Sequence, residues 1–213
     1  MEIAVSSTSF PDDLVRYASN RLLTGRIVPL WLVIAACAAG ISRGPTVMSS
    51  LAGALLAALL LTQFRLWDDL ADRAHDAAMH PERVLVLTAH GRRFAQVGAA
   101  LALPIAALLA VGFGAVHVIV YGVLVAAMAV VYATCGVDTS RLLRSHLVLL
   151  KYPVFIGLCA RFPDIALLLR VGATFYILMS AIESGSEPAP AGRPARMVVW
   201  VIEALTLAVL WLL

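Results

Sequence analysis

From Ile27 to the end, the sequence alternates seven apolar stretches with short polar connections, and that alternation leaves few folds open. Inside lipid every backbone N–H and C=O must be satisfied within the protein, so long apolar runs there become helices. The stretches run from about Ile27 to Ile41, Val47 to Trp67, Phe94 to Phe113, Val116 to Tyr132, Leu147 to Ala160, Ile165 to Ile182, and Met197 onward. Only 14 % of residues are charged and the mean hydropathy is +0.92, whereas soluble domains are nearer a quarter charged. The expectation is an all-α, polytopic transmembrane helix bundle of about seven spans, forming a single domain over 27–213.

Residues 1–26 read differently. Phe10-Pro11-Asp12 is a helix start, with proline and acids in a first turn. Leu14, Tyr17 and Leu22 give the segment a weakly apolar side, and Asp12, Asp13, Arg16, Arg21 and Arg26 supply its charge. We expect an amphipathic lead-in lying along the membrane surface. It lacks the basic start, apolar core and small-residue cleavage site of a signal peptide.

The basic residues orient the bundle. Arg16, Arg21 and Arg26 precede the first stretch; Arg65, Arg73, Arg83, Arg92 and Arg93 surround the second connection. Arg141, Arg144 and Lys151 lie at the fourth connection, Arg193 and Arg196 at the sixth. The opposite side holds only Arg43 and Arg161, and Arg170 sits inside the sixth stretch near its outer boundary, where snorkelling suffices. The positive-inside rule then predicts a multi-pass protein of the cell membrane, N-terminus cytoplasmic and C-terminus outside.

The stretch Gln63–Arg83 interrupts this apolar pattern with Asp68, Asp69, Asp72 and Asp76 within nine positions. At about 100° per residue, Asp69, Asp72 and Asp76 fall on one helical stripe, with Arg65 a turn before and His80 and Arg83 after. Each like-charge contact at that spacing costs roughly 0.2–0.5 kcal/mol even when exposed. A cation among the carboxylates relieves it, and oxygen-only ligands favour a hard ion such as Mg²⁺. The plainer reading is a solvated acidic patch closing a membrane helix. Glu183 and Glu187, spaced i and i+4 after the sixth stretch, leave on the same side. They form either a second wall of one polar cavity or an ordinary polar loop.

The run Asp68-Asp69-Leu70-Ala71-Asp72-Arg73-Ala74-His75-Asp76 resembles the first aspartate-rich motif, N-D-x-x-D-x-x-x-D, of the UbiA superfamily of intramembrane prenyltransferases. That motif also follows the second membrane helix; Asp68 stands where the family usually has Asn, and HPERVL is similar to the Arg-Pro-containing tail beyond the motif. The resemblance is sharpest over Asp68–Arg83. It implies that Asp69, Asp72 and Asp76, with Asp68 beside them, hold Mg²⁺ against the diphosphate of an isoprenoid substrate. Glu183 and Glu187 take the place of the second acidic motif, as Glu-x-x-x-Glu in place of paired aspartates. Tyr132 and Arg141 resemble the Tyr and basic residue at the fourth-helix exit. Asp69, Asp72, Asp76, Glu183 and Glu187 are thus the implied catalytic residues.

Chemistry of that kind ionises an allylic diphosphate once its leaving group is neutralised. Arg65, Arg83, Arg141, Arg144 and Lys151 lie on the correct side to bind phosphate oxygens. An apolar chamber would protect the carbocation until a lipophilic or aromatic acceptor captures it. Membrane lipid is the remaining expected partner. Two other readings stand beside the transferase: a membrane terpene cyclase, and a non-catalytic transporter or interaction protein on the same scaffold. Lys151 and Glu203, each inside a span, either pair with each other or line the cavity. His80 is a minor candidate metal ligand and His75 points to solvent. Cys37, Cys135 and Cys159 have no metal or redox spacing and read as packing residues. No soluble basic face with interleaved aromatics exists, which excludes nucleic acid as a partner.

Overall fold

A computed structural model describes residues 8–134, 141–186 and 193–212. Those residues are almost wholly helical, and their only strand-like contact is an isolated bridge between Ser42 and Pro163. Helix α1 (Phe10–Tyr17) starts where Ser9 accepts the Asp12 N–H, with Asp12 and Asp13 complementing the dipole of the first turn. A π-helical turn (Ala18–Leu22) prolongs it, and the chain then bends 65° into α2 (Ile27–Ile41). A turn through Gly44, whose φ of +65° suits glycine, leads to α3 (Val47–Ala71), capped by reciprocal Thr46–Ser49 hydrogen bonds. Two short helices follow, α4 (Arg73–Met79) and α5 (Val84–Leu87). Then come α6 (Gly91–Ala100), α7 (Ala102–Gly112), α8 (Ala115–Thr134), α9 (Arg141–Leu149), α10 (Lys151–Cys159), α11 (Ile165–Ser186) and α12 (Arg193–Leu212).

Among the described residues, four helices are long and apolar enough to cross a membrane: α3, the α6–α7 pair as one span over 91–112, α8, and α11 over 165–183. The bent pair of α1 and α2 makes a fifth if it counts as one broken span. This is an all-helical membrane protein. All seven apolar stretches fall on helices, but α2 has 15 residues, α10 has nine, and the apolar part of α12 is Val198–Leu212, so these do not meet the length of a full span unaided.

Two segments read as polar connections are partly helical. α9 begins at Arg141, inside the connection expected between the stretches that end near Tyr132 and begin near Leu147, and α11 runs past Ile182 through Glu183 to Ser186. The Leu142-Leu143 and Leu147-Val148 pairs give α9 an amphipathic pattern that the polar residues between them obscure.

α3 is the central post, packed against α2, α6, α7 and α10. Leu56, Leu60, Phe64, Ile105, Phe155 and Ile156 are fully buried around it. Phe64 meets the rings of Phe155 and Trp67 at centroid distances of 5.2 and 5.3 Å. α10 crosses α3 so closely at Gly53 that a Cβ there would sit 2.6 Å from the Cys159 carbonyl oxygen. Midway along α3, buried Gln63 accepts the Tyr121 hydroxyl at 2.7 Å and donates to the Gly98 carbonyl at 3.2 Å, tying α3 to α8 and α6.

The two ends of the bundle differ. At one, the α2–α3 and α10–α11 turns meet: Asp164 N–H donates to Ile41 O at 3.0 Å, and Arg43 pairs with Asp164 at 2.8 Å. At the other, a small apolar cluster of Tyr17, Leu66, Val84, Leu85 and Phe94 seats α1 and α5 against the ends of α3 and α6. The aspartates lie there.

Candidate functional site

α3 does not run unbroken through the acidic stretch. Asp72 ends α3 and precedes α4 with φ −88° and ψ 2°, yet Asp72 N–H still donates to Asp68 O and Asp76 N–H to Asp72 O. The helical phase therefore survives the joint. Asp69 and Asp76 stay on one side, both buried, while Asp72 turns toward α9 and remains half exposed.

Each carboxylate meets its own cation. Asp69 accepts a two-pronged contact from Arg21, Nε at 3.0 Å and Nη2 at 2.5 Å, together with the Tyr17 hydroxyl at 2.9 Å. Arg65, a turn earlier on α3, adds a 3.3 Å ion pair. Asp76 accepts from Arg83, and Asp72 pairs with Arg144 of α9 at 2.5 Å. Asp68 accepts from Tyr132 of α8 and from Lys151 of α10, whose side chain is 2 % exposed. The repulsion foreseen along the stripe is thus relieved side chain by side chain. Five cations face four aspartates, and with Glu82 nearby the two signs of charge balance.

These pairs surround two hollows. The larger, about 280 Å³, is lined by Tyr17, Arg21, Asp69, Asp76, His80 and Arg83, with Asn20, Glu82, Val84 and Leu85 completing its wall. The smaller, about 10 Å³, lies between Arg65, Asp68 and Lys151 and the apolar side chains of Phe64 and Phe155. Arg65 Nε is buried with no hydrogen-bond partner among the described residues, an unused donor at the boundary of charge and core.

Of the residues expected from sequence, Asp68, Asp69, Asp72, Asp76, Arg65, Arg83, Arg144 and Lys151 gather at this end of the bundle. Glu183 lies exposed near the end of α11. Glu187 and the Arg141 side chain lie outside the described residues, as does Cys135. Lys151 pairs with Asp68 and not with Glu203, because α10 starts against the end of α3 whereas Glu203 faces α9. His80 lines the larger hollow, 3.6 Å from Glu82, and His75 is exposed. The stripe expected of Asp69, Asp72 and Asp76 holds for the first and last only.

The sequence reading missed Tyr17 and Arg21. Each reads from sequence as part of a surface helix, yet both are main partners of Asp69. Their i, i+4 spacing, a hydroxylated aromatic followed by a cation on the apolar side of a lead-in, was the available signal.

The donor set is one a hard divalent ion accepts: oxygen only, with carboxylates that share a hollow. Asp69 and Asp76 meet that description. Asp68 and Asp72 are engaged toward α8, α9 and α10, and among the described residues no three acidic, histidine or cysteine side chains converge on one point. No family model, curated protein or solved structure matches the chain.

Proposed function

We propose that this chain is a Mg²⁺-dependent intramembrane prenyltransferase of the UbiA type, moving an isoprenoid chain from a prenyl diphosphate to a lipophilic or aromatic acceptor. One observation carries the reading: four aspartates of a single nine-residue stretch, each matched to a cation from a different part of the chain, close one end of an apolar bundle around a hollow.

That arrangement suits exchange of partners. A diphosphate with its Mg²⁺ carries both signs of charge, so carboxylates released from arginine would hold the metal while the freed guanidinium groups would bind phosphate oxygens. Asp69 and Asp76 are the side chains that would hold the ion; bound there, Mg²⁺ neutralises the leaving diphosphate. Arg21 and Arg83, on the same hollow, bind and orient phosphate oxygens, and the unused Nε–H of Arg65 supplies a further donor. Lys151 and Tyr132 hold Asp68 in place. The apolar residues beneath, Phe64 and Phe155 among them, exclude water from an allylic cation.

In this reading the bundle makes seven spans in the cell membrane, with the aspartate end cytoplasmic. Support comes from the basic residues that gather there and from the meeting of the Arg43 and Arg161 turns at the other end.

A second reading, a non-catalytic transporter or interaction protein, draws support from the same pairing, since every aspartate already has a counter-charge. Purified protein given Mg²⁺ and a set of prenyl diphosphates, with and without aromatic acceptors, separates them. Acceptor-dependent pyrophosphate release supports transfer, and release without acceptor supports a terpene cyclase. No release with any substrate defeats both enzymatic readings. Excess chelator stops turnover; turnover that continues removes Mg²⁺ from the proposal.

A further inference from the structure

On the side of α9 turned away from the aspartates, three helices bring a second ionisable group together. Arg144 faces Asp72, and His146 stands two residues on, about 200° around the helix. His146 Nδ1 lies 2.7 Å from the Tyr176 hydroxyl of α11 and 3.8 Å from Glu203 Oε1 of α12. Trp211 Nε1 donates to Thr174 Oγ1 at 3.1 Å, which sets α12 antiparallel to α11 and puts Ser180 near the level of Glu203.

Glu203 is the one buried residue among the described side chains of α12; Val198, Ile202, Leu205 and Val209 around it are exposed. An acid is therefore the deepest-set side chain on an otherwise apolar peripheral helix. Glu203 Oε1, His146 Nε2 and Ser180 Oγ are all buried without a hydrogen-bond partner among the described residues. Ionisable side chains in such a position mark proton or ion sites more often than packing.

We propose that His146 and Glu203 form a proton-binding site inside the bundle, sharing one exchangeable proton, with Tyr176 as the hydrogen-bond switch beside it. With no proton the pair buries a lone carboxylate, and with two it buries a lone imidazolium. One proton leaves the pair with no net charge, whichever partner holds it. Tyr176 O–H donates to bare Nδ1; a proton arriving on Nδ1 reverses that bond, and Nδ1–H then donates to the Tyr176 oxygen beside the carboxylate.

Few other charges face the pair. On α9 Arg144 is tied to Asp72, and on α10 Lys151 is tied to Asp68. α11 presents Tyr176 and Ser180, with Glu183 a turn further on and exposed. On α12 itself Arg196 precedes Glu203 by two turns. The inference is independent of prenyl transfer, and its test is read by titration and not by turnover.

The test is infrared pH-difference spectroscopy of the full chain in lipid nanodiscs, from about pH 5 to about pH 9, the range in which imidazole switches. The His146 bands are assigned as those lost in His146→Gln. Carboxyl and imidazole bands are expected to move together at one midpoint. Glu203→Gln, by removing the counter-charge, moves the midpoint of the His146 bands to lower pH. Where that variant does not fold, Tyr176→Phe serves: carboxyl and imidazole still move together, at a shifted midpoint. Separate midpoints for the two groups, or a His146 midpoint unmoved by Glu203→Gln, overturn the proposal.

Discussion

The two ends of the bundle both carry ion pairs, and they use them in opposite ways. At the turn end, Arg43 and Asp164 pair with side chains that are 70 % and 40 % exposed. At the aspartate end, the Lys151–Asp68 pair is 2 % and 15 % exposed, and Asp69 is held by three groups at once. Exposed pairs contribute little to stability because water and salt compete for both partners. Buried ones leave an uncompensated charge when broken. One end therefore joins two turns cheaply, while the other concentrates charge that only a ligand or a partner can displace without loss.

The largest expected effect sharpens that difference in function. Asp76→Ala or Asp72→Ala abolishes pyrophosphate release, a fall on the order of 10³-fold for the loss of several kcal/mol of charge stabilisation. Both variants still insert and fold. Asp164→Asn at the other end leaves turnover unchanged. Full activity in Asp72→Ala removes that residue from the reaction and leaves Asp69 and Asp76 as the working pair.

Stability should divide the ends in the same way. Lys151→Met leaves Asp68 with Tyr132 alone and costs about 3–5 kcal/mol, read as a lower denaturant midpoint in detergent. Arg43→Met moves that midpoint far less. Equal shifts at the two ends break the comparison. Tyr17→Phe comes next: it deletes a hydrogen bond to a carboxylate that keeps Arg21 and Arg65, for a loss of about 1–2 kcal/mol in the same assay.

Much of the bundle was legible in the sequence because lipid imposes a simple rule on apolar runs. Ile27–Ile41 matches α2 at both ends, and Val47 is the first residue of α3. The acidic motif was legible as a cluster, and four of the five cations proposed to serve it do gather around it. What the helical wheel did not convey is the joint at Asp72, which is set by backbone torsion and by Arg144, 72 residues away in sequence. Tyr17 and Arg21 were hidden for a similar reason: an amphipathic lead-in reads as a surface helix until the fold shows which buried acid it covers. The His146–Glu203 contact needed three helices in register, and no local pattern encodes that.

The smallest effect concerns pH at the turn end. A hydrogen bond from Arg43, with the Leu167 N–H, holds the Asp164 carboxyl below its ordinary value of 3.8. A carboxyl depressed in the folded state stabilises the fold above its unfolded value, and that contribution is lost as pH falls through the lower folded value. Wild type and Asp164→Asn should therefore differ slightly in thermal stability near neutrality and converge as the pH drops below about 3.8 toward the folded value. Curves that stay parallel as the pH falls would mean that the Arg43 contact does not hold the Asp164 carboxyl down.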